Sequence, residues 1–560
     1  MLNNYVNFLK WFNLQFNGGG DKILWNTLTH NGVLFPPEYE YKKIPIIFEG
    51  KDIILNKEAE EALLFYTKYF NTEYIKSNRF TKNFWRDFKK LLKIDQKLND
   101  ISEIDLKHFI EYQNKLQLKK SEITKEEKIL EKEKSMKEEE EFKIAFVDGK
   151  EQPVGNFRIE PPGIFLGRGC HPKLGRIKKR IYPEDITINI GSGEKIPNTI
   201  NGRRWKEIIH DKTVLWLASW KDDITEKTKY VRLGDKSDFK SESDKNKFEL
   251  ARKLKKKISE IKKYNESNLI NDNIKVRQLA TALYFVENFS LRVGNEKSKD
   301  EADTVGVSSL RVEHINLLDN NKIKLDFLGK DSVRYVNKIE VTDQIYENLK
   351  YFSQNKNKKE DLFDKITPSD LNNYLQDFMK NLTSKVFRTM NASKLFQREI
   401  NKINNKFQDV TEDNDKINLL LNEFNKANAK VALLCNHQKN INKNYKDSLI
   451  KINDRIKLLK RKRRDYEHKK ALLKEKNKDT KVVKKKLMKV ELLLKTIKSK
   501  KNLKIEMKNV SLGTSKVNYI DPRITISFMK RHNIDINKLF TKALQEKFNW
   551  ALEVDENYIF

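Results

Sequence analysis

Two runs of apolar residues at helical spacing, joined by a short polar turn, constrain this chain more than any other feature. Tyr445, Leu449, Ile452, Ile456 and Leu459 step by four and three, and so do Val483, Leu487, Val490, Leu494 and Ile497. Glu475–Thr480 between them is polar. A stripe this narrow is buried only against a second such stripe, so Asn440–Lys501 reads as an antiparallel helical hairpin. Its seam is thin and its outer faces are heavily basic, which makes it an arm rather than a domain.

The remainder of the 560 residues exceeds one ordinary core, so several domains are expected. Residues 1–22 read as an amphipathic leader with a joint at Gly18–Gly20, lacking the basic-then-apolar pattern of a secretory signal. Lys43–Leu55 alternates like a hairpin around Glu49–Lys51. Lys57–Leu98 reads as helices, with Phe65, Tyr69, Phe84 and Trp85 as core. Ser121–Glu141 reads as a charged helix projecting into solvent or partly frayed, and 142–219 as strands and loops carrying Gly163, Gly167, Gly169 and Gly175. Ser241–Asn265 is a basic helix. Arg277–Leu291 is strongly amphipathic, with Gly294 past its end as a candidate cap. Lys322–Val341 alternates as a hairpin turning at Gly329-Lys330-Asp331, Leu371–Cys435 is helical, and Ser511–Phe560 closes the chain as a small helical domain. The fold class is therefore α+β and multidomain.

Charge narrows the function. Lys and Arg total 113 against 80 Asp and Glu, a net of +33, and such a field attracts polyanions, nucleic acid above all. Cys170 and Cys435, the two cysteines, are far apart, which excludes a disulfide framework and fits a reducing compartment. No apolar run is long enough to span a membrane. The phosphate-cradling GxxxxGK[ST] pattern is missing, Gly191-Ser192-Gly193 is not completed to GxGxxG, and no acidic cluster has metal-site spacing. A protein of this kind acting on a phosphodiester would need neither ATP nor a catalytic divalent ion.

Metal-free phosphodiester transfer needs a nucleophile, cations around the non-bridging oxygens, an acid for the leaving oxygen and a grip on the strand. Basic residues stand at element ends and turns in the second half of the chain. Arg292 is placed at the end of the amphipathic helix, Lys330 in the hairpin turn, Arg388 within KVFRTMNAS and His437 after a helix in LLCNHQK. Singly, each of these is an ordinary surface or capping side chain.

Taken together, longer segments carry a resemblance. SLRVGNEK, EADTVGVSSLRVEHINL, LDFLGKDSVRY, KVFRTMNAS, LLCNHQK and SLGTSKVNYIDPRITISF resemble, in order, the catalytic segments of the eukaryotic type IB topoisomerase family. Upstream, NGVLFPPEYE, NFWRDF, RIEPPGIFLGRGCHPKLGRIKKRIYPEDITINI and RWKEIIHDKTVLWLASW resemble that family's DNA-enclosing cap. The resemblance runs from about Ile23 to the C-terminus, with the arm similar in position and character only.

The resemblance implies Tyr519 as the nucleophile, forming a bond to the DNA 3′ phosphate and freeing a 5′ hydroxyl. An ordinary phenol titrates near ~10 and needs activation by its surroundings. It further implies Arg292 and Arg388 on the non-bridging oxygens, His437 as a further donor and Lys330 as the general acid. Arg168, Asp331, Asn518, Lys173 and Thr514 match positions at the DNA and at the pocket of camptothecin-type poisons. Leu166 stands where the family usually has Arg, Cys170 where it has Asn, and Met390 where it has Tyr.

The fold implied is a bilobed DNA clamp. A mixed α/β cap spans 23–232 and a mainly helical, tyrosine-recombinase-like catalytic domain spans 233–439. The linker arm spans 440–510 and the small helical C-terminal domain 511–560. The activity implied is relaxation of positive and negative supercoils through transient single-strand cleavage and religation, without cofactor, ATP or an obligatory metal; divalent ions would at most stimulate. The partner is duplex DNA, bound by a monomeric clamp away from membranes, with replication, transcription and chromatin proteins as candidate associates. A nuclear location rests on the family, with Lys460–Arg464 (KRKRR) as a candidate import signal or simply a solvated face. Two rival readings are a tyrosine recombinase and a non-catalytic DNA-binding chromatin protein.

Overall fold

The computed structural model describes residues 23–92, 98–294, 301–407, 413–439, 441 and 444–560. The leader and its glycine joint lie outside the described residues. The chain forms two compact units, Met1–Glu242 with Lys297–Asp303, and Ser243–Glu296 with Thr304–Phe560.

The first unit mixes sheets and helices around two cores. One gathers Ile46 from the strand Pro45–Phe48 with Leu63, Phe80, Phe84, Phe88 and Phe109 from the helices Lys57–Thr67, Asn78–Phe88 and Lys107–Glu122, all fully buried. The expected hairpin stands as Pro45–Phe48 paired with Lys51–Ile54, and Glu49 and Gly50 take left-handed conformations at its tip. The other core lies on the four-stranded sheet with order Thr228–Arg232, Trp216–Lys221, Ile186–Asn189, Glu207–Ile209, in which the last pair is parallel. A three-stranded sheet adds Leu28–His30, Ile144–Val147 and Lys150–Pro153.

The charged helix expected over Ser121–Glu141 is the helix Lys125–Glu140, and the residues before it end the preceding helix Lys107–Glu122. The break falls at Ile123–Thr124, where Thr124 caps the second helix and Glu127 returns the bond to form a capping box. That S/T-x-x-E signal starts a new helix even inside a helix-prone run.

The second unit is mainly helical. Its core joins the long helix Asp238–Asn268 to Ile274–Phe289, Ser384–Asn401 and the C-terminal residues Phe528 and Phe560. The hairpin over 322–341 is Lys322–Gly329 paired with Val333–Glu340, in register from Lys322↔Glu340 to Gly329↔Val333, with Ile315–Leu318 on its other edge. Ile323, Leu325 and Phe327 point into the core.

The amphipathic helix ends at Phe289, so Arg292 lies three residues beyond it rather than at its end. Its left-handed cap is Ser290, not Gly294. Gly294 is left-handed for another reason: a Cβ there would meet the Gly306 backbone nitrogen at 2.8 Å, so the two glycines allow two backbones to touch. The arm is the pair Tyr445–Glu475 and Lys481–Glu506, whose seam buries Ile456, Leu459, Val490 and Leu494.

Candidate functional site

Three local motifs aim side chains at one place in the second unit. The first is the end of the helix Asp413–Leu434. Asn436 is left-handed there, its N–H bonds to Leu433 O at 2.9 Å, and the His437 N–H bonds to Ala432 O at 2.9 Å. These are the two bonds of a Schellman cap, and they fix where His437 leaves the helix. The second is the helix Ser384–Asn401, which carries Arg388 on its buried face. The third is the junction between the helices Leu512–Asn518 and Pro522–Arg531, where Tyr519 stands. Asp521 caps the second of these with Pro522 behind it, as Asp-Pro at a helix start favours. Ser393 holds this junction: its hydroxyl donates to Tyr519 O at 3.1 Å and accepts the Asp521 N–H at 3.0 Å.

The side chains converge on the phenol. Arg292 lies close enough for its charge to act on the phenol. The Arg388 guanidinium lies 5.1 Å from the Tyr519 ring centre, and the His437 ring lies 5.1 Å away on a 33° tilt. Arg388 is buried and donates to the carbonyls of Ser290 and of Cys435, the latter at 3.0 Å. Among the described residues its Nε is buried without a hydrogen-bond partner. His437 is buried too; Nδ1 is 2.7 Å from Ser515 Oγ, and Nε2 has no partner among the described residues. Arg388 is thus held at one end by backbone oxygens and keeps an unused donor.

Electrostatics follow from this crowding. Burial raises the Tyr519 phenol, but the charges of Arg388 and Arg292 outweigh it, leaving the phenol below its ordinary value. Burial, then the charges of Arg388 and Arg292, push His437 down to about 3, so its imidazole is neutral at physiological pH. Burial raises the Cys435 thiol, which keeps it protonated.

Lys330 sits in the three-residue turn Lys330–Ser332 and is exposed. Asp331 and Ser332 are both left-handed there, which throws Lys330 off the end of the hairpin. With Arg292 and Arg388 it lines a cavity of about 40 Å³, closed on other sides by Tyr335 and Cys435. Asn518 is exposed on the last turn before Tyr519 and donates to Thr514 O at 3.2 Å. The Thr514 hydroxyl lies 3.0 Å from Ser511 Oγ. The structure thus brings Tyr519, Arg292, Arg388 and His437 together and sets Lys330 on the same cavity as the two arginines.

Arg168 and Lys173 belong to the first unit. Lys173 Nζ donates to Ile224 O at 2.8 Å, and Gly167 and Gly169, either side of Arg168, are left-handed. Met390 is buried, so a thioether suits its surroundings. Cys170 is exposed and its carbonyl accepts from Arg79 at 2.7 Å. Ser290, Ser393 and Ser515 support the site and were not singled out from the sequence. The one local signal is for Ser515, which precedes Tyr519 by four residues and so shares its helical face. Among the described residues no group of three His, Cys, Asp or Glu side chains could hold a metal ion, and no helix is long and apolar enough to cross a membrane.

Family models match along the chain: the DNA binding fragment of eukaryotic DNA topoisomerase I over residues 23–233, its catalytic core over 236–471, and a C-terminal topoisomerase domain over 492–560. DNA topoisomerase 1 of Caenorhabditis elegans is 40% identical over 98% of this chain and 70% of its own length. The chain belongs to the eukaryotic DNA topoisomerase I family. DNA topoisomerase 1 of Homo sapiens is 39% identical over 96% of the chain and 72% of its own length. DNA topoisomerase 1 beta of Arabidopsis thaliana is 40% identical over 97% of the chain and 60% of its own length. Every residue that converges on the phenol lies within the stretches matched by the topoisomerase I core and C-terminal models.

Proposed function

We propose that this member of the topoisomerase I family is a type IB DNA topoisomerase that cuts one strand of duplex DNA with Tyr519. Tyr519 loses its hydroxyl proton to water, its oxygen attacks the scissile phosphorus, the P–O5′ bond breaks, and the DNA 3′ end stays on the tyrosine. Arg292 and Arg388 hold the non-bridging oxygens, where guanidinium forks match the geometry. His437 donates from Nε2 to the same developing charge. Lys330 gives its proton to the departing 5′ oxygen. The phosphotyrosyl bond conserves the energy of the broken backbone bond, so the freed 5′ hydroxyl reseals the strand by the reverse attack, with no ATP.

The observation that carries this reading is the phenol itself, below its ordinary pKa beside two guanidiniums, with two further buried ring or guanidinium nitrogens left unused around it. Those unused donors have a purpose once an anion enters.

In this reading residues 23–232 form a cap, 233–439 the catalytic domain, 440–510 a linker arm and 511–560 the C-terminal domain of a monomeric clamp. The net charge of +33 grips phosphates without reading bases. Torsion leaves as the free strand rotates, in either sense, and the nucleus is where such a substrate is found. Arg168, Lys173, Asp331, Asn518 and Thr514 contact DNA or border the pocket of camptothecin-type poisons.

The test is relaxation of negatively and positively supercoiled plasmid without ATP and with EDTA, comparing the natural chain with Tyr519→Phe. Relaxation of both by the natural chain and of neither by the variant, with a denaturation-resistant 3′ DNA adduct in the natural chain alone, is the expected result. Relaxation by Tyr519→Phe would remove Tyr519 from the reaction.

A further inference from the structure

His437 poses a question that its burial alone does not answer. A neutral imidazole carries one proton on two nitrogens, and only the tautomer with the proton on Nε2 can donate to an anion there. With the proton on Nδ1, the Nε2 lone pair would face a phosphate oxygen and repel it. Something must therefore choose the tautomer.

The protein offers one partner. Ser515 Oγ lies 2.7 Å from Nδ1, and Ser515 is fully buried. The hydroxyl has no other hydrogen bond among the described residues, although its helix would allow the usual bond back to a carbonyl. The Ser515 carbonyl accepts the N–H groups of Tyr519 and Ile520, each at 3.0 Å, and the Ser511 N–H donates to the His437 carbonyl at 2.8 Å. The short helix Leu512–Asn518 is thus bonded to the nucleophile at one end and to the His437 main chain at the other, so the hydroxyl is held where it points.

We propose that Ser515 is the positioning residue for His437: its hydroxyl donates to Nδ1, which puts the imidazole proton on Nε2 where the scissile phosphate binds. This rests on the role given to His437 above. A carboxylate or carbonyl at this place would only accept, and would fix the proton on the wrong nitrogen. A hydroxyl can donate, and with no other hydrogen bond among the described residues it has Nδ1 to donate to.

The experiment labels the full-length Tyr519→Phe chain with ¹⁵N-histidine, binds it to a duplex, and reads the ring nitrogens, with His437 assigned by loss of its signals in His437→Gln. The expected result is a protonated Nε2 and an unprotonated Nδ1 in the complex; a protonated Nδ1 overturns the proposal. In parallel, single-turnover cleavage is measured for Ser515→Ala, His437→Gln and the double variant. Ser515→Ala is expected to slow cleavage about tenfold with His437 present and less than about twofold with Gln there, because an amide has no tautomer to set. An equal loss in both backgrounds makes Ser515 a packing residue and overturns the proposal. If His437→Gln itself leaves cleavage unchanged, the fault lies with the role assigned to His437, and the proposal falls with it.

Discussion

One buried histidine from each unit, His30 from the first and His437 from the second, is finished differently. His30, in the first unit, closes a strand: Nε2 is 2.9 Å from Asn189 O and Nδ1 accepts the Gly32 N–H at 3.0 Å. Burial pushes it down to about 4, against a smaller pull upward from the Asn189 carbonyl. His437, in the second unit, is as deeply buried and pushed down to about 3, yet only Nδ1 is satisfied. Both rings are neutral, and both cost free energy to bury. One has every polar atom matched inside the protein, as a structural ring does. The other is left one bond short beside two guanidiniums and a phenol. In the proposed reaction that nitrogen would meet the phosphate.

Several changes would break or sharpen this contrast. Arg388→Lys should act most strongly, because a single ammonium nitrogen cannot span the Ser290 and Cys435 carbonyls and the phosphate as the separate nitrogens of a planar guanidinium do. Cleavage is expected to fall by roughly 10³ or more, read in single-turnover assays. His437→Gln should slow cleavage by roughly 10² while moving the urea midpoint little. His30→Gln should do the reverse, costing about 2 kcal/mol of stability and leaving the cleavage rate of the folded fraction unchanged. Equal effects of the two on cleavage would erase the distinction.

Acid should weaken both units. Each ring stays neutral when folded but takes up a proton when unfolded below about 6.5. Stability contributed by neutrality is therefore whole above that pH and falls as pH drops, until about 4 for His30 and about 3 for His437. Between pH 7 and 5 each ring should cost ~2 kcal/mol, visible as a drop in urea midpoint that His30→Gln and His437→Gln each lessen. The smallest effect is expected for Gly32→Ala. Its φ of +80° and a Cβ that would meet Pro197 Cβ at 3.0 Å should cost ~1–2 kcal/mol through strain beside His30, without touching cleavage.

Much of this was open to sequence reasoning where pattern and physics coincide. The helical pair, the 322–341 hairpin and the helices over 57–98 follow from periodicity, because each buries a stripe that the sequence displays. Lys330 at a turn followed from Gly329 and Asp331 in the same way. Bringing Arg292, Arg388, His437 and Tyr519 to one point could not follow so, since they come from four elements and only a family resemblance joined them. Arg292 was set at a helix end because Gly294 reads as a cap, whereas Ser290 ends the helix and Gly294 serves a backbone contact. Thr124 was passed over because the residues around it all favour helix. His30 gives no local signal and Ser515 gives only its spacing from Tyr519, since each buried ring and its partner are matched across 159 and 78 positions of chain.

The helical pair carries a consequence for how such proteins change over generations. Its seam asks only for an apolar side chain every three or four residues, and its outer faces ask only for solubility. Insertions or losses of whole turns at its tip would leave the helices' roots in place, where Asn422 Nδ2 donates to Ser499 Oγ at 2.8 Å and Lys504 reaches Ser448. The match to the core model stops at residue 471 and the match to the C-terminal model resumes at 492. That interval, the tip, is where drift in length and letters is cheapest, and where a foreign segment could be spliced in with least disturbance to the tyrosine.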